Sequence, residues 1–144
     1  MHLATLVAGS FTIVTTLSRA VPTIEQLTRK YGFVRHCRKV RAAEFPVLAL
    51  EEPGSGARDL LRAEIARAIA EDRCEAVILG CAGMADLARD LAAEFGLPVI
   101  DGVAAATKLV EAVVGLGLRT SKIGAFAPPL PKPYTGLFAR FAPR

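Results

Sequence analysis

Two rhythms of apolar residues alternate along this chain. Some segments place apolar residues three and four apart, the spacing of one helix face, and between them lie short uninterrupted apolar runs typical of strands buried on both sides. Met1–Ala8 reads as an apolar helix ending near Gly9, followed by a β-branched strand over Phe11–Thr16. The next helix has Pro22 in its first turn, an apolar stripe of Ile24, Leu27 and Tyr31, and Gly32 as its stop. A strand is predicted over Cys37–Ala42, where charges alternate, and a mobile loop over Glu51–Gly56. The helix Ala57–Asp72 gathers Ala57, Leu60, Leu61, Ile65, Ala68 and Ile69 on one face. A strand over Ala76–Gly80, a helix over Met84–Phe95 stopped by Gly96, and a strand over Leu97–Ile100 follow. The last helix, Val103–Leu116, is predicted to stack Val103, Ala106, Val110, Val113 and Val114 against the sheet.

The order αβαβαβαβα predicts an α/β fold, a parallel sheet with helices on both faces and right-handed crossovers. The chain divides into an α/β lobe over residues 1–118 and a Pro-rich basic tail over 119–144. Pro128-Pro129-Leu130-Pro131-Lys132-Pro133 cannot continue a helix or a central strand. It reads as an extended arm packed on a neighbour, or else as a PxxP ligand. A domain seldom opens on an apolar, uncapped helix, so Met1–Ala8 predicts further chain upstream.

Composition narrows the class. The 144 residues are 52% hydrophobic and 22% charged, enough apolar surface for a sizeable core, while aromatics are 6% and tryptophan is absent. The net charge of +4 is a property of the tail: Arg119, Lys122, Lys132, Arg140 and Arg144 all follow Glu111, the last acidic residue. Residues 1–118 hold thirteen basic and fourteen acidic residues, a formal −1, so the body has no excess of positive charge for nucleic acid. Three cysteines without a CxxC pair, and two histidines without HxxxH spacing, predict neither structural zinc nor an oxidising compartment. The charge-free stretch 3–18 is too short and too rich in Thr, Gly and Ser for a membrane span, and it lacks the basic start of a signal peptide. The expectation is a cytoplasmic protein with no membrane partner.

In an open parallel sheet, ligands bind at the carboxyl ends of the strands. Three predicted ends carry polar or reactive groups: Thr15-Thr16, Gly80-Cys81-Ala82-Gly83-Met84 and Asp101-Gly102. Cys81 follows a buried strand and precedes a helix, where the helix dipole favours a thiolate. Gly80 and Gly83 would let a substrate approach backbone N–H groups able to stabilise an oxyanion. The same pattern also fits a small cysteine buried at a tight turn. Asp101 reads better as the N-cap of the following helix than as a substrate contact. Lys108 lies on a polar helical face. Cys37, beside His36 on a strand where neighbours face opposite ways, and Cys74, at the amino end of a strand, read as incidental.

Val14-Thr15-Thr16, Gly80-Cys81-Ala82-Gly83-Met84, Val99-Ile100-Asp101-Gly102-Val103 and the tail Pro128–Tyr134 resemble the aspartate/glutamate/hydantoin racemase superfamily, most of all its hydantoin and allantoin branch. The resemblance runs from Met1 to about Gly136 and covers the second half of the family's usual chain. Such enzymes have two α/β lobes with one cysteine each and the active site between them. The resemblance therefore implies cofactor-independent racemisation of a small molecule, with Cys81 as one of two acid/base thiols. It implies that Thr15, Thr16, Ala82 and Gly83 hold substrate oxygens. It also implies that the first lobe is supplied by further chain or by association, including a homo-oligomer. A single-cysteine decarboxylase relative and a non-catalytic α/β remnant or binding module are the competing readings.

Overall fold

The computed structural model describes residues 1–142. Four strands form one parallel sheet in the order β2-β1-β3-β4, with β1 at Phe11–Thr15, β2 at Cys37–Ala42, β3 at Ala76–Leu79 and β4 at Val99–Asp101. The helices are α1 (His2–Val7), α2 (Val21–Lys30), α3 (Ala57–Arg67), α4 (Ala88–Phe95) and α5 (Gly102–Gly115). This is the α/β order expected from the sequence. Among the described residues, no helix is long and apolar enough to cross a membrane.

β1, β3 and β4 are buried along their whole lengths, which is why they read as unbroken apolar runs. Alternate side chains feed two cores. On one face Val14, Val77, Leu79 and Val99 pack with Leu61 and Ile65 of α3 and Leu91 of α4. On the other, Phe11, Ile13, Ala76, Ile78 and Ile100 pack with Ala4 of α1 and with Val21 and Ile24 of α2. The chain clusters into two units, Met1–Val110 and a second from Glu111 onward. The second unit contains the end of α5 and short 3₁₀ turns at Gly124–Phe126 and Gly136–Phe141. Its Pro-rich stretch 128–133 carries neither helix nor strand. Pro143 and Arg144, the end of the predicted tail, lie outside the described residues.

Three helix faces differ from expectation. Leu60 is 48% exposed, and the buried face of α3 instead includes Glu64. Glu64 accepts a hydrogen bond from Arg41 of β2 (3.1 Å), and that partner is what lets a carboxylate replace an aliphatic side chain in the stripe. Tyr31 and Leu27 of the α2 stripe are exposed while Thr28 is buried, its hydroxyl donating to the Glu25 carbonyl at 2.7 Å. The predicted stacking of α5 on the sheet is not found: Val103, Ala106, Val110, Val113 and Val114 are all exposed, and Ala105 is the α5 residue packed on the α1–α2 core. The sequence periodicity of α5 marks an apolar face, but within the first unit only Ala105, in the first turn, packs on that core.

Two helix ends also depart from a regular α-helix. α3 widens into one π turn, Ala68–Asp72, which ends at Arg73 with φ of 52°. That turn carries Glu71 and Asp72 to Arg41, which donates to each of them at 2.6 Å. The helix predicted from Met84 opens as a 3₁₀ segment, Ala82–Leu87, before α4 begins.

Candidate active site

Register brings the three polar strand ends to one level. Leu79 lies opposite Asp101 on β4 and opposite Val14 on β1, so Thr15, Gly80 and Gly102 are the next residues on their strands. β1 and β3 are adjacent at the centre of the sheet, with the chain order running outward from them in opposite directions. Crevices in open α/β sheets form at such switch points, at the carboxyl ends of the strands.

Cys81 stands in this crevice. Its extended backbone (φ −144°, ψ 133°) ends β3, and its carbonyl accepts the Met84 N–H at 3.1 Å, closing the first turn of the 3₁₀ segment. The first N–H groups of such a segment have no acceptor within it, which leaves donors beside the sulfur. Two glycines hold this loop. A Cβ on Gly80 would lie 3.1 Å from Thr15 Cβ and 3.2 Å from Ile13 Cγ2, so β1 and the strand end touch there. A Cβ on Gly83 would meet Val47 Cγ2 at 2.6 Å, closer than carbon atoms can approach.

A cleft of about 330 Å³ opens here, lined by Gly80, Cys81, Ala82, Asp101 and Gly102 together with Ile13, Ile24, Leu27, Ile78 and Val103. Met1 also borders it, and burial lowers the pKa of its amine. A separate depression of about 400 Å³ lies under the Glu51–Gly56 loop. Its lining includes Glu51, Glu52, Arg58, Asp59 and Arg62 and holds no cysteine, and the hydroxyl of Ser55 there donates to the Ala49 carbonyl.

The structure distributes the sequence candidates unevenly. Cys81 is half-buried and Ala82 exposed, both on the cleft. Gly83 is exposed but faces Val47, outside the lining. Thr15 and Thr16 are buried and are not part of the lining either; the Thr15 hydroxyl donates to the Gly80 carbonyl at 3.4 Å, tying β1 to the residue before the cysteine. Asp101 caps α5, its two carboxylate oxygens accepting the N–H groups of Val103 (3.1 Å) and Ala104 (2.6 Å).

All three cysteines are free thiols. Burial, helped by the charge of Glu25, pushes Cys37 up to about 11, and burial raises Cys74 as well. Both are thus held protonated at neutral pH, and neither lines the cleft. Among the described residues, no group of three His, Cys, Asp or Glu side chains is placed to hold a metal. Reading the sequence for function missed the apolar wall made by Ile24 and Leu27. Their spacing on α2 signals a helix face without saying that the face borders a cleft.

A doubly covered parallel sheet with a cysteine at its central switch point defines a class of α/β enzyme-like folds, and comparison with known proteins specifies the family. The profile of the Asp/Glu/Hydantoin racemase family matches residues 1–110, and the chain belongs to that family. It is 50% identical over 136 residues to the hydantoin racemase of Rhizobium meliloti, covering 94% of this chain and 56% of that protein. Its structure is similar to the allantoin racemase from Klebsiella pneumoniae, with a TM-score of 0.90, 47% identity, and coverage of 99% of this chain and 58% of that one. The allantoin racemase from Pseudomonas fluorescens matches with a TM-score of 0.85 and 41% identity, over 94% of this chain and 57% of that one. The chain thus spans somewhat more than half the length of these relatives.

Proposed function

We propose that the chain is part of a cofactor-independent racemase of hydantoins or allantoin, and that Cys81 is one of its two proton-transfer groups. The observation that carries this reading is the position of Cys81 on an apolar cleft at the switch point of the sheet, between two close-packed glycines. The hydrogen on the substituted ring carbon of a hydantoin is acidic because the adjacent carbonyl delocalises the carbanion as an enolate. The Cys81 thiolate takes that proton and becomes a thiol, while the negative charge moves to the carbonyl oxygen. The backbone N–H group of Ala82, which lines the cleft, stabilises that oxygen. An acid on the opposite face returns a proton, giving the other enantiomer, and for the reverse substrate the Cys81 thiol is the donor.

Thr15 and Thr16 take part through the strand end they hold, Thr15 by fixing Gly80. Asp101, occupied by the start of α5, positions the cleft floor. The proposal assigns this chain to the second of the family's two lobes. The opposing acid then belongs to the part of the relatives that this chain does not span. Loss of one positioned acid typically lowers the rate by roughly 10²–10⁴-fold.

The test is polarimetry on an enantiopure 5-substituted hydantoin. Optical rotation should decay when the chain is combined with the portion of the Rhizobium meliloti relative that it does not match. Cys81→Ser should abolish that decay. Racemisation that proceeds equally with Cys81→Ser would refute the assignment.

A further inference from the structure

The geometry points to Val47, which does not line the cleft, as the residue that positions Cys81 for proton transfer: it presses on Gly83 and so fixes the turn that carries the thiol. The assignment rests on the racemase reading and adds to it a residue that touches no substrate.

Position 83 holds glycine for want of space and not for conformation. Gly83 lies in the 3₁₀ segment Ala82–Leu87 and is not among the residues with positive φ, so its backbone is open to an ordinary L-residue. What a Cβ there would meet is Val47 Cγ2 at 2.6 Å and Cys81 Sγ at 3.8 Å. The Val47 methyl and the reactive sulfur thus converge on the same open face of Gly83.

Val47 is in turn held from the carboxyl end of β2. Phe45 and Leu50, on either side of it in sequence, are buried in the core that also contains Met84 of the Cys81 turn. The Phe45 N–H donates to the Thr16 carbonyl at 3.1 Å, which ties the segment to the end of β1. The Ala49 N–H donates to the Pro46 carbonyl at 3.0 Å and closes a turn over Val47. The Pro46 ring fixes its own φ at −66°, and a β-branched side chain has few rotamers, so the methyl sits on a stiff mount. Leu48, the next residue in the turn, points to solvent and is 68% exposed. The precision matters because misplacing a reacting group by about 1 Å can cost roughly 100-fold in rate.

Deuterium exchange at the ring carbon of an enantiopure 5-substituted hydantoin, measured over a range of substrate concentrations with the full chain, tests the assignment. Val47→Ala should lower the maximal exchange rate by roughly 10–100-fold while the half-saturating concentration stays within about twofold, because Val47 is off the cleft lining. Val47→Ile, which keeps a branched methyl, should restore the parent rate, and Leu48→Ala should match the parent throughout. Gly83→Ala should slow exchange as Val47→Ala does. The double variant Val47→Ala/Gly83→Ala should recover roughly tenfold or more, since the new methyl fills the space the old one left. A fold defect would give no such recovery. Parent-like exchange in Val47→Ala, or a loss that Gly83→Ala does not reverse, would overturn the positioning role while leaving that of Cys81 intact. Exchange that survives Cys81→Ser, or is absent from the parent chain, would instead remove the reading beneath it.

Discussion

The three thiols of this chain have the same chemistry and different surroundings, and the surroundings decide their roles. Cys37 begins the edge strand β2, where burial and the negative charge of Glu25 oppose ionisation. Cys74 is buried beside Thr12, and burial again dominates, its pKa raised above the ordinary thiol value. Cys81 faces an open cleft. Alkylation proceeds through the thiolate, so iodoacetamide at neutral pH should modify Cys81 before the other two. Labelling of Cys37 should lag behind and keep rising as the pH climbs towards about 11. Peptide mass spectrometry over a pH series checks both expectations, and preferential labelling of Cys37 at pH 7 would count against the site. Gly83 works at the same scale: a side chain there would require Val47 to shift, so the loop that carries Cys81 is packed closely at this point.

The elements are joined by a network that the cleft does not use. Arg41 of β2 is buried, its guanidinium donating to Glu64 of α3 and to Glu71 and Asp72 of the π turn, while Asp72 also accepts from the Thr12 hydroxyl of β1 (3.0 Å). Arg67 adds a further contact to Glu64. The hydrogen bond from Arg41 holds Asp72 below the usual carboxylate range. A pKa lower in the folded state than in the unfolded state makes the linked stabilisation complete above about pH 4, the ordinary aspartate value, and lost as the pH falls through the depressed one. Arg41→Ala leaves two buried carboxylates facing each other and should cost about 3–5 kcal/mol in urea unfolding at pH 7. It should also flatten the acid limb of the stability–pH curve. An Arg41→Ala protein as stable as the parent would show that the network is incidental.

This network was invisible in the sequence. Alternating charges in Cys37–Ala42 suit an exposed edge strand equally well, and nothing local says that Arg41 turns inward while Arg38 and Lys39 stay exposed. The strand runs were legible because burial on both faces removes polar residues from them, and β2 matched its predicted bounds. The end of β3 at Gly80 and the turn around Cys81 were legible because glycines break the apolar run there, a pattern that also fits a cysteine at a tight turn. The α5 stripe was misread for a physical reason: periodicity shows that a helix has an apolar face and does not show what, if anything, covers it.

At the scale of the whole molecule, the Met1–Val110 unit carries the sheet and the cleft, and the family profile ends at the same residue. Within that unit Leu6, Val7, Val103 and Val110 are exposed apolar side chains. In the second unit Leu116, Ile123, Phe126, Leu130, Leu137 and Phe138 are exposed as well. Each unit thus carries exposed apolar side chains of its own, the kind of surface that association covers. On the present proposal it is covered by the remaining length of the racemase or by another copy of the chain. The account's central claim is narrower than that assembly and can be tested without it: Cys81 removes the proton from the ring carbon. The direct measurement is deuterium incorporation at that carbon of an enantiopure 5-substituted hydantoin in heavy water, followed by proton NMR. The account predicts exchange above the uncatalysed rate, falling by roughly 10²–10⁴-fold in Cys81→Ser while Cys37→Ser and Cys74→Ser retain it. Exchange that is unchanged by Cys81→Ser, or lost with Cys37→Ser instead, would contradict it.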